Sequence, residues 1–376
     1  MHSFTAVKGR PELYTSYAQD MALLNTPGKR VAAGAVLMAA LLLPFAVADD
    51  LLVVLATGFA AAVGAIGLNI VTGYAGQVSL GHAFFLGLGA YTAAFLGGAP
   101  GGRAVGLGLP LVVWLPAAGI VAAAAGFIVA PIASRLRGLY LAIVTLGLVF
   151  LGEHIFKEAV FVTGGLGVGR PAAKLSLFGF SFDAPAELAG IPLTVAQLRY
   201  GFCLAVLVVL GVLARNLARS AVGRALAAVR DRDIAAEVIG VNLQRSKTIA
   251  FVVSSFYAGI AGALGASLLG FFDPSRFTLG LSIQFVAMVL IGGVATISGA
   301  VLGAMFITLL PRITAFLPGL LPFVSAQPTG GVLTIFQIEA ILYGALIVGF
   351  LIFEPRGLFG IWIRIRNYWK GWPFSY

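Results

Sequence analysis

The residues of this chain best equipped for chemistry lie in three polar islands within an apolar sequence. The first runs from Asn69 to His82 and holds Asn69, Thr72, Gly73, Tyr74, Gln77, Ser79 and His82. Amide, hydroxyl and imidazole groups are costly in lipid and persist there where they face a solute path or one another. Gly73, Gly76 and Gly81 let a helix unwind, and an unwound stretch offers peptide N–H and C=O groups to a polar solute. The competing reading pairs these side chains between helices, where each such bond contributes about 0.6 kcal/mol, or puts them at the inner membrane surface. For His82 alone, helix packing competes with a proton relay. Tyr91 and Tyr140 read as packing or interface aromatics.

The second island is Glu153, His154, Lys157 and Glu158, where Glu153–Lys157 and His154–Glu158 have i,i+4 spacing. That spacing suits pairing on a solvated face, and the functional alternative is a docking point or charged vestibule on the outer side. The third island is the stretch 223–242, which reads as two short helices with Asp231 or Asp233 capping the second. Its residues of interest are Arg224, Arg230, Asp233, Ala235, Ala236, Glu237, Gly240 and Asn242. A compact basic hairpin suits docking on a partner protein; a polybasic loop held to anionic lipid has the same charge. No catalytic or metal-ligating set is expected. His2, His82 and His154 are far apart, and the single Cys203 sits in an apolar block and supports no intrachain disulfide.

The elements that must position these islands are membrane helices. Hydrophobic residues make up 60% of the 376 and charged residues 10%, against about 25% charged in a soluble chain. The apolar residues run in blocks that match neither the 2.0 nor the 3.6 period of a half-buried element. About 20 residues of helix cross a bilayer core, and in lipid the backbone must satisfy itself, which selects helices. About ten spans are expected, near 31–48, 51–72, 78–98, 109–132, 138–158, 199–214, 248–270, 281–295, 298–317 and 335–353, with 281–295 short enough for a half-helix or re-entrant turn. Lys29-Arg30, the run from Val31 and Ala46-Val47-Ala48 imitate a signal peptide; the long segment ahead of them favours an uncleaved first span.

Charge sets the orientation. Lys8, Arg10, Lys29 and Arg30, then Arg135 and Arg137, then Arg215, Arg219, Arg224, Arg230, Arg232, Arg245 and Lys247, and finally Arg356, Arg364, Arg366 and Lys370 make 17 of the 24 basic residues. All fall on one side of the expected map, which places both termini in the cytoplasm. The net charge of +10 is therefore distributed between spans and gives no reason to expect nucleic acid. The resulting organisation is a cytoplasmic segment 1–30, a transmembrane domain 31–355 with an external loop 159–198 and a cytoplasmic loop 215–247, and a tail 356–376. In the tail, Ile361, Trp362, Ile365, Tyr368, Trp369 and Trp372 share a helical face, with Ile363 off it, as in a helix lying on the inner surface.

Several of these segments resemble one family. Asp233-Ile-Ala-Ala-Glu-Val-Ile-Gly240 is similar to the coupling loop of ABC importer permeases, with its acidic residue one place early. The runs 67–82 (GLNIVTGYAGQVSLGH), 135–146 (RLRGLYLAIVTL), Met288–Gly293 and Glu354–Leu358 resemble the LivM/LivH branched-chain amino-acid permeases in the order found there, and the 135–146 run with the N-terminal extension favours LivM. The resemblance implies an all-α permease, not an enzyme, working with a second LivH-like permease, two cytoplasmic ATPase subunits that bind ATP and Mg, and an extracytoplasmic solute-binding protein, in a bacterial inner membrane. The sequence has no Gly-x-x-x-x-Gly-Lys-Ser/Thr phosphate loop of its own. Urea, short amides and aromatic acids are alternative solutes in families of this type. An ion-driven transporter would be expected to carry a carboxylate midway in a span, and these spans are nearly free of them. A membrane enzyme would need a converging acid–base or nucleophilic set.

Overall fold

The computed structural model describes residues 27–100, 104–136, 138–188, 190–315, 324–325 and 333–371. The segment 1–26, Arg137 and Trp372 of the sequence reading lie outside them. Each expected apolar block carries a helix: α1 (Pro27–Leu42), α2 (Asp49–Asn69), α3 (His82–Gly97), α4 (Leu111–Arg135), α5 (Leu139–Glu158), α6 (Val195–Arg219), α9 (Leu243–Leu269), α10 (Leu279–Gly292), α11 (Ile297–Thr314) and α12 (Ile335–Phe353). Between α6 and α9 come the short α7 (Ala221–Asp231) and α8 (Asp233–Val238), and α13 (Gly357–Gly371) follows α12. Among the described residues six helices are long and apolar enough to cross a membrane, seven if α12 and α13, bent by 42°, count as one. α1, α3 and α10 are shorter apolar helices. The protein is a multi-pass membrane protein; near 281–295, where the sequence offered a half-helix or a re-entrant turn, α10 has 14 residues.

Two helices form the centre. In the most apolar window of α2, 67% of residues are buried, and in α9 72%, against 28–39% in α4, α5, α6 and α11. The outer helices turn Ile120, Phe127, Ile128, Ile143, Phe150, Val209 and Leu213 outward. In water such a patch would be a liability; around a membrane bundle it is the face toward lipid or another subunit.

Small residues bring the central helices together. A Cβ on Gly262 of α9 would sit 1.9 Å from the Leu86 carbonyl oxygen of α3, and one on Gly89 of α3 would sit 2.1 Å from the Gly259 oxygen. These backbones touch directly, the packing mode that replaces hydrophobic driving force in lipid.

α6 separates two dissimilar ends. Its 25 residues at 1.5 Å each put about 37 Å between them. At one end the loop 159–194 is ordered by two-stranded antiparallel pairs, Ser176–Leu177 with Phe180–Ser181, Ala186–Leu188 with Ile191–Leu193, and Arg170–Pro171 with Phe271–Phe272. With a parallel pair, Val324–Ser325 and Leu333–Thr334, elsewhere in the chain, these are the strands among the described residues of a mainly helical fold. Thr194 and Gln197 form a capping box there, so α6 starts before the expected residue 199. At the other end sit α7 and α8.

Because the α3–α9 contact leaves no space, Gly262→Val should cost about 3 kcal/mol by overpacking. A lower thermal midpoint of the purified protein in detergent checks this. Gly265→Ala, with nothing within 4 Å of the new Cβ, should stay within about 0.5 kcal/mol of the parent.

Candidate functional site

The first island is an interrupted helix. α2 runs on through a π turn, Ile70–Tyr74, and the chain stays non-helical until His82 opens α3. α3 thus begins four residues later than the expected 78. Gly76, at φ +67°, takes the left-handed conformation that ends the turn. Inside a bilayer such an interruption would free peptide groups that only protein can satisfy. Thr145 Oγ1 of α5 accepts from Leu80 N at 2.9 Å, and Ser282 Oγ of α10 accepts from Ala83 N at 2.9 Å.

Asn69, fully buried, closes the junction from the other direction. Its Nδ2 donates to the Thr296 oxygen and its Oδ1 accepts from Ala295 N, both at 2.8 Å. Residues 293–296 are themselves the turn between α10 and α11, so the two helix breaks are joined through one amide. Asn69 pairs between helices, as the competing reading of the island had it. The rest of the island is less settled. Thr72 Oγ1, both amide atoms of Gln77 and His82 Nε2 are buried without hydrogen-bond partners. Ser79 accepts from Gly81 N at 3.4 Å, and Tyr74 is half-buried.

His82 packs against the wall of a separate cavity. Its ring lies 5.0 Å from that of Phe285, centroid to centroid. Phe285 lines a cavity of about 380 Å³ between α2, α9, α10 and α11, whose wall is apolar apart from Thr57, Arg276, Gln284 and Thr308. Sequence reading did not single out Arg276 or Gln284. Burial pulls the Arg276 pKa below the ordinary arginine value and Asp273 opposes that.

The third island is the α7–α8 hairpin. Ser220 caps α7, accepting from Gly223 N at 3.4 Å, and Asn242 caps α9, accepting from Arg245 N at 2.8 Å. The expected cap on α8 is a correction: Arg232 holds the cap position without a side-chain bond, and Asp233 is already the first helical residue, accepting from Ile234 N. Asp231 pairs instead with Arg230 at 3.0 Å. Ala236 faces inward, while Arg224, Ala235, Glu237 and Gly240 are exposed. Ile234, Val238 and Ile239 are 67%, 83% and 75% exposed, an apolar tip on a charged hairpin.

The first and third islands meet. Arg230 Nη1 donates to the Gly73 oxygen at 3.2 Å, so the hairpin reaches the interrupted helix directly. A polar cavity of about 230 Å³ lies beside this contact.

The second island stays apart from both, on the last turns of α5. Glu153 and Lys157 pair at 2.7 Å; His154 and Glu158 are exposed and form no such pair. Near it lies a residue the sequence did not flag, Arg170, 2% exposed. Its guanidinium donates to the carbonyls of Ala94, Val105 and Val162. The Ala94 carbonyl belongs to the last turn of α3, where a cation is favoured. Burial lowers the Arg170 pKa and Tyr91 opposes that.

With this geometry in place, comparison decides the family. Residues 50–353 match the family described as branched-chain amino acid transport system / permease component. The chain belongs to that family. It is 36% identical over 256 residues to the high-affinity branched-chain amino acid transport system permease protein LivM of Escherichia coli (strain K12), and 35% over 257 residues to that of Salmonella typhimurium. Each alignment covers 64% of this chain and 58% of the relative, so the match spans somewhat over half of those proteins. The autoinducer 2 import system permease protein LsrC of Enterobacter sp. (strain 638) is 32% identical over 171 residues, 43% of this chain and 49% of that one. No solved structure matches the chain at comparable significance.

Asn69→Leu would leave the part-buried Ala295 N–H and Thr296 carbonyl without their partner, at about 1 kcal/mol each. Gly73→Ala should injure the same joint, since its Cβ would lie 2.1 Å from Asn69 Oδ1. Thermal unfolding of both single variants and the double should show a loss well short of additive, because one joint is broken twice.

Proposed function

We propose that this chain is the permease subunit of an ATP-driven importer that moves branched-chain or related small polar amino acids into the cytoplasm. In this reading it crosses a bacterial inner membrane ten times with both ends inside. A LivH-like second permease stands beside it, two ATPase subunits carry ATP and Mg below, and an extracytoplasmic binding protein delivers solute from above. Neither catalytic nor metal chemistry is assigned to the chain itself.

The observation that carries the reading is the Arg230–Gly73 bond. It links a hairpin with an exposed apolar tip to an interrupted membrane helix. Hairpin residues Arg224, Arg230, Asp233, Ala235, Glu237 and Gly240 would meet an ATPase, with Ala236 packed inward to shape the hairpin and Asn242 capping the helix that follows. Movement on ATP binding would then pass to the break at residues 69–82, whose Thr72, Gln77 and His82 carry buried polar atoms without partners. The apolar wall of the larger cavity suits an aliphatic side chain, and Arg276 suits a carboxylate. Glu153, His154, Lys157 and Glu158 would face the binding protein. The exposed Trp362, Ile365 and Tyr368 of α13 suit a headgroup layer.

The test is uptake by proteoliposomes containing the complete complex, with candidate binding proteins and labelled solutes outside and ATP inside. ATP-dependent leucine uptake supports the reading. Preference for urea, an amide, an aromatic acid or the autoinducer 2 named for the LsrC relatives would move the substrate; uptake by this chain without any ATPase would sink the importer. Gly240→Arg should abolish ATPase co-purification and leave membrane insertion intact. Normal co-purification would count against the hairpin.

A further inference from the structure

The larger cavity, of about 380 Å³, carries an uneven set of polar groups. One end lies on the side of the loop 159–194, since Phe272 lines the cavity and pairs with Arg170 of that loop. The other end reaches Phe285, whose ring lies against His82. Arg276 is the one ionisable group among the described residues of the lining. Neither its guanidinium nor the Gln284 amide forms an ion pair or side-chain hydrogen bond with the described residues. Asp273 acts on Arg276 without forming an ion pair with it, accepts from Ser275 Oγ at 2.8 Å, and does not line the cavity. Thr57 and Thr308 donate their hydroxyl protons to the carbonyls of Val53 and Ala304 in their own helices, which leaves them only acceptor capacity for a ligand. Gln284 stands about 7.5 Å along α10 from its first residue, so Arg276 and the amide meet a solute at successive depths.

We propose that this cavity binds small branched aliphatic monocarboxylates through Arg276, and that it tolerates an α-ammonium group without requiring one. An arginine–carboxylate pair is charge-assisted and can be bidentate, and this guanidinium has no such partner within the chain. An amine without a carboxylate meets a like charge at Arg276 and no anion in the wall. A phosphate or dicarboxylate would carry a second negative charge among apolar groups with no cation to receive it. The ammonium of an amino acid finds only neutral acceptors, Gln284 Oε1 and the two threonine oxygens. These replace the water it leaves without making it a condition of binding. Leu86, Ala261, Phe285 and Met288 receive the aliphatic tail. The site deepens the transport reading and rests on it in one respect: selection for the amino group would fall to the protein that delivers the solute.

The experiment is equilibrium dialysis of labelled leucine against the complete detergent-purified complex, without binding protein or nucleotide, in the presence of unlabelled competitors. 4-Methylpentanoate should displace leucine about as well as unlabelled leucine does, while isopentylamine and leucinamide should not. Arg276→Gln should raise the leucine Kd about tenfold, and Arg276→Lys, which keeps the charge and loses the fork, should raise it less. Gln284→Leu should weaken leucine and leave 4-methylpentanoate unchanged, a split that a merely structural role would not produce. Gly265 also lines the cavity, with nothing within 4 Å of an added Cβ, so Gly265→Leu should block both ligands with little change in thermal midpoint. Wild type that binds no leucine, binding unchanged in Arg276→Gln, or displacement by isopentylamine equal to that by the acid would overturn the site. Wild-type rates of ATP-driven leucine uptake by Arg276→Gln proteoliposomes would also overturn it and leave the transport reading standing. Acid-selective binding without any uptake by the wild-type complex would remove the transport reading and leave the site.

Discussion

A peptide group inside a membrane has no water to fall back on, and the structure is organised around a place where that rule is hardest to meet. Between Tyr74 and His82 the backbone leaves the helix, and its freed groups must find protein partners. They find them on Thr145 and Ser282, while Asn69 and Arg230 secure the end of α2. The contributors come from α2, α5, α7, α10 and the turn after it. Four helices and one turn therefore share this junction, and the hairpin is among them.

The remainder of the fold supports that junction with packing of an unusually direct kind. Glycines at 89, 259 and 262 allow α3 and α9 to meet backbone to backbone. The peripheral helices are only about a third buried. Outside the middle, the Arg170 staple joins segments, with three carbonyls sharing one guanidinium.

What could be read from the sequence follows the range of the interactions. The helical blocks were legible because runs of apolar residues have few alternatives in lipid. The Glu153–Lys157 pair was legible because it is local. The polar island at 69–82 stood out by composition, yet its end at His82 depends on Thr145 and Ser282, which no local pattern announces. Asn69 could be marked as costly, but not as the clasp on Ala295, since its partners are backbone groups that any residue carries. Arg170 was missed for the same reason: carbonyl acceptors leave no trace in residue type. The Asp233 cap failed by one position, because α8 begins at Asp233 itself.

The clasp between Asn69 and Ala295 has a consequence in time. Its two halves are 226 residues apart, and at roughly 5–20 residues per second of synthesis the interval is on the order of 10–45 s. For that period the interrupted segment has been made and its partner has not. It must wait in a setting that solvates it, at the membrane surface or in the care of the insertion machinery. α2 is thus among the first helices synthesised, while the bond that closes its end forms only once the turn after α10 exists.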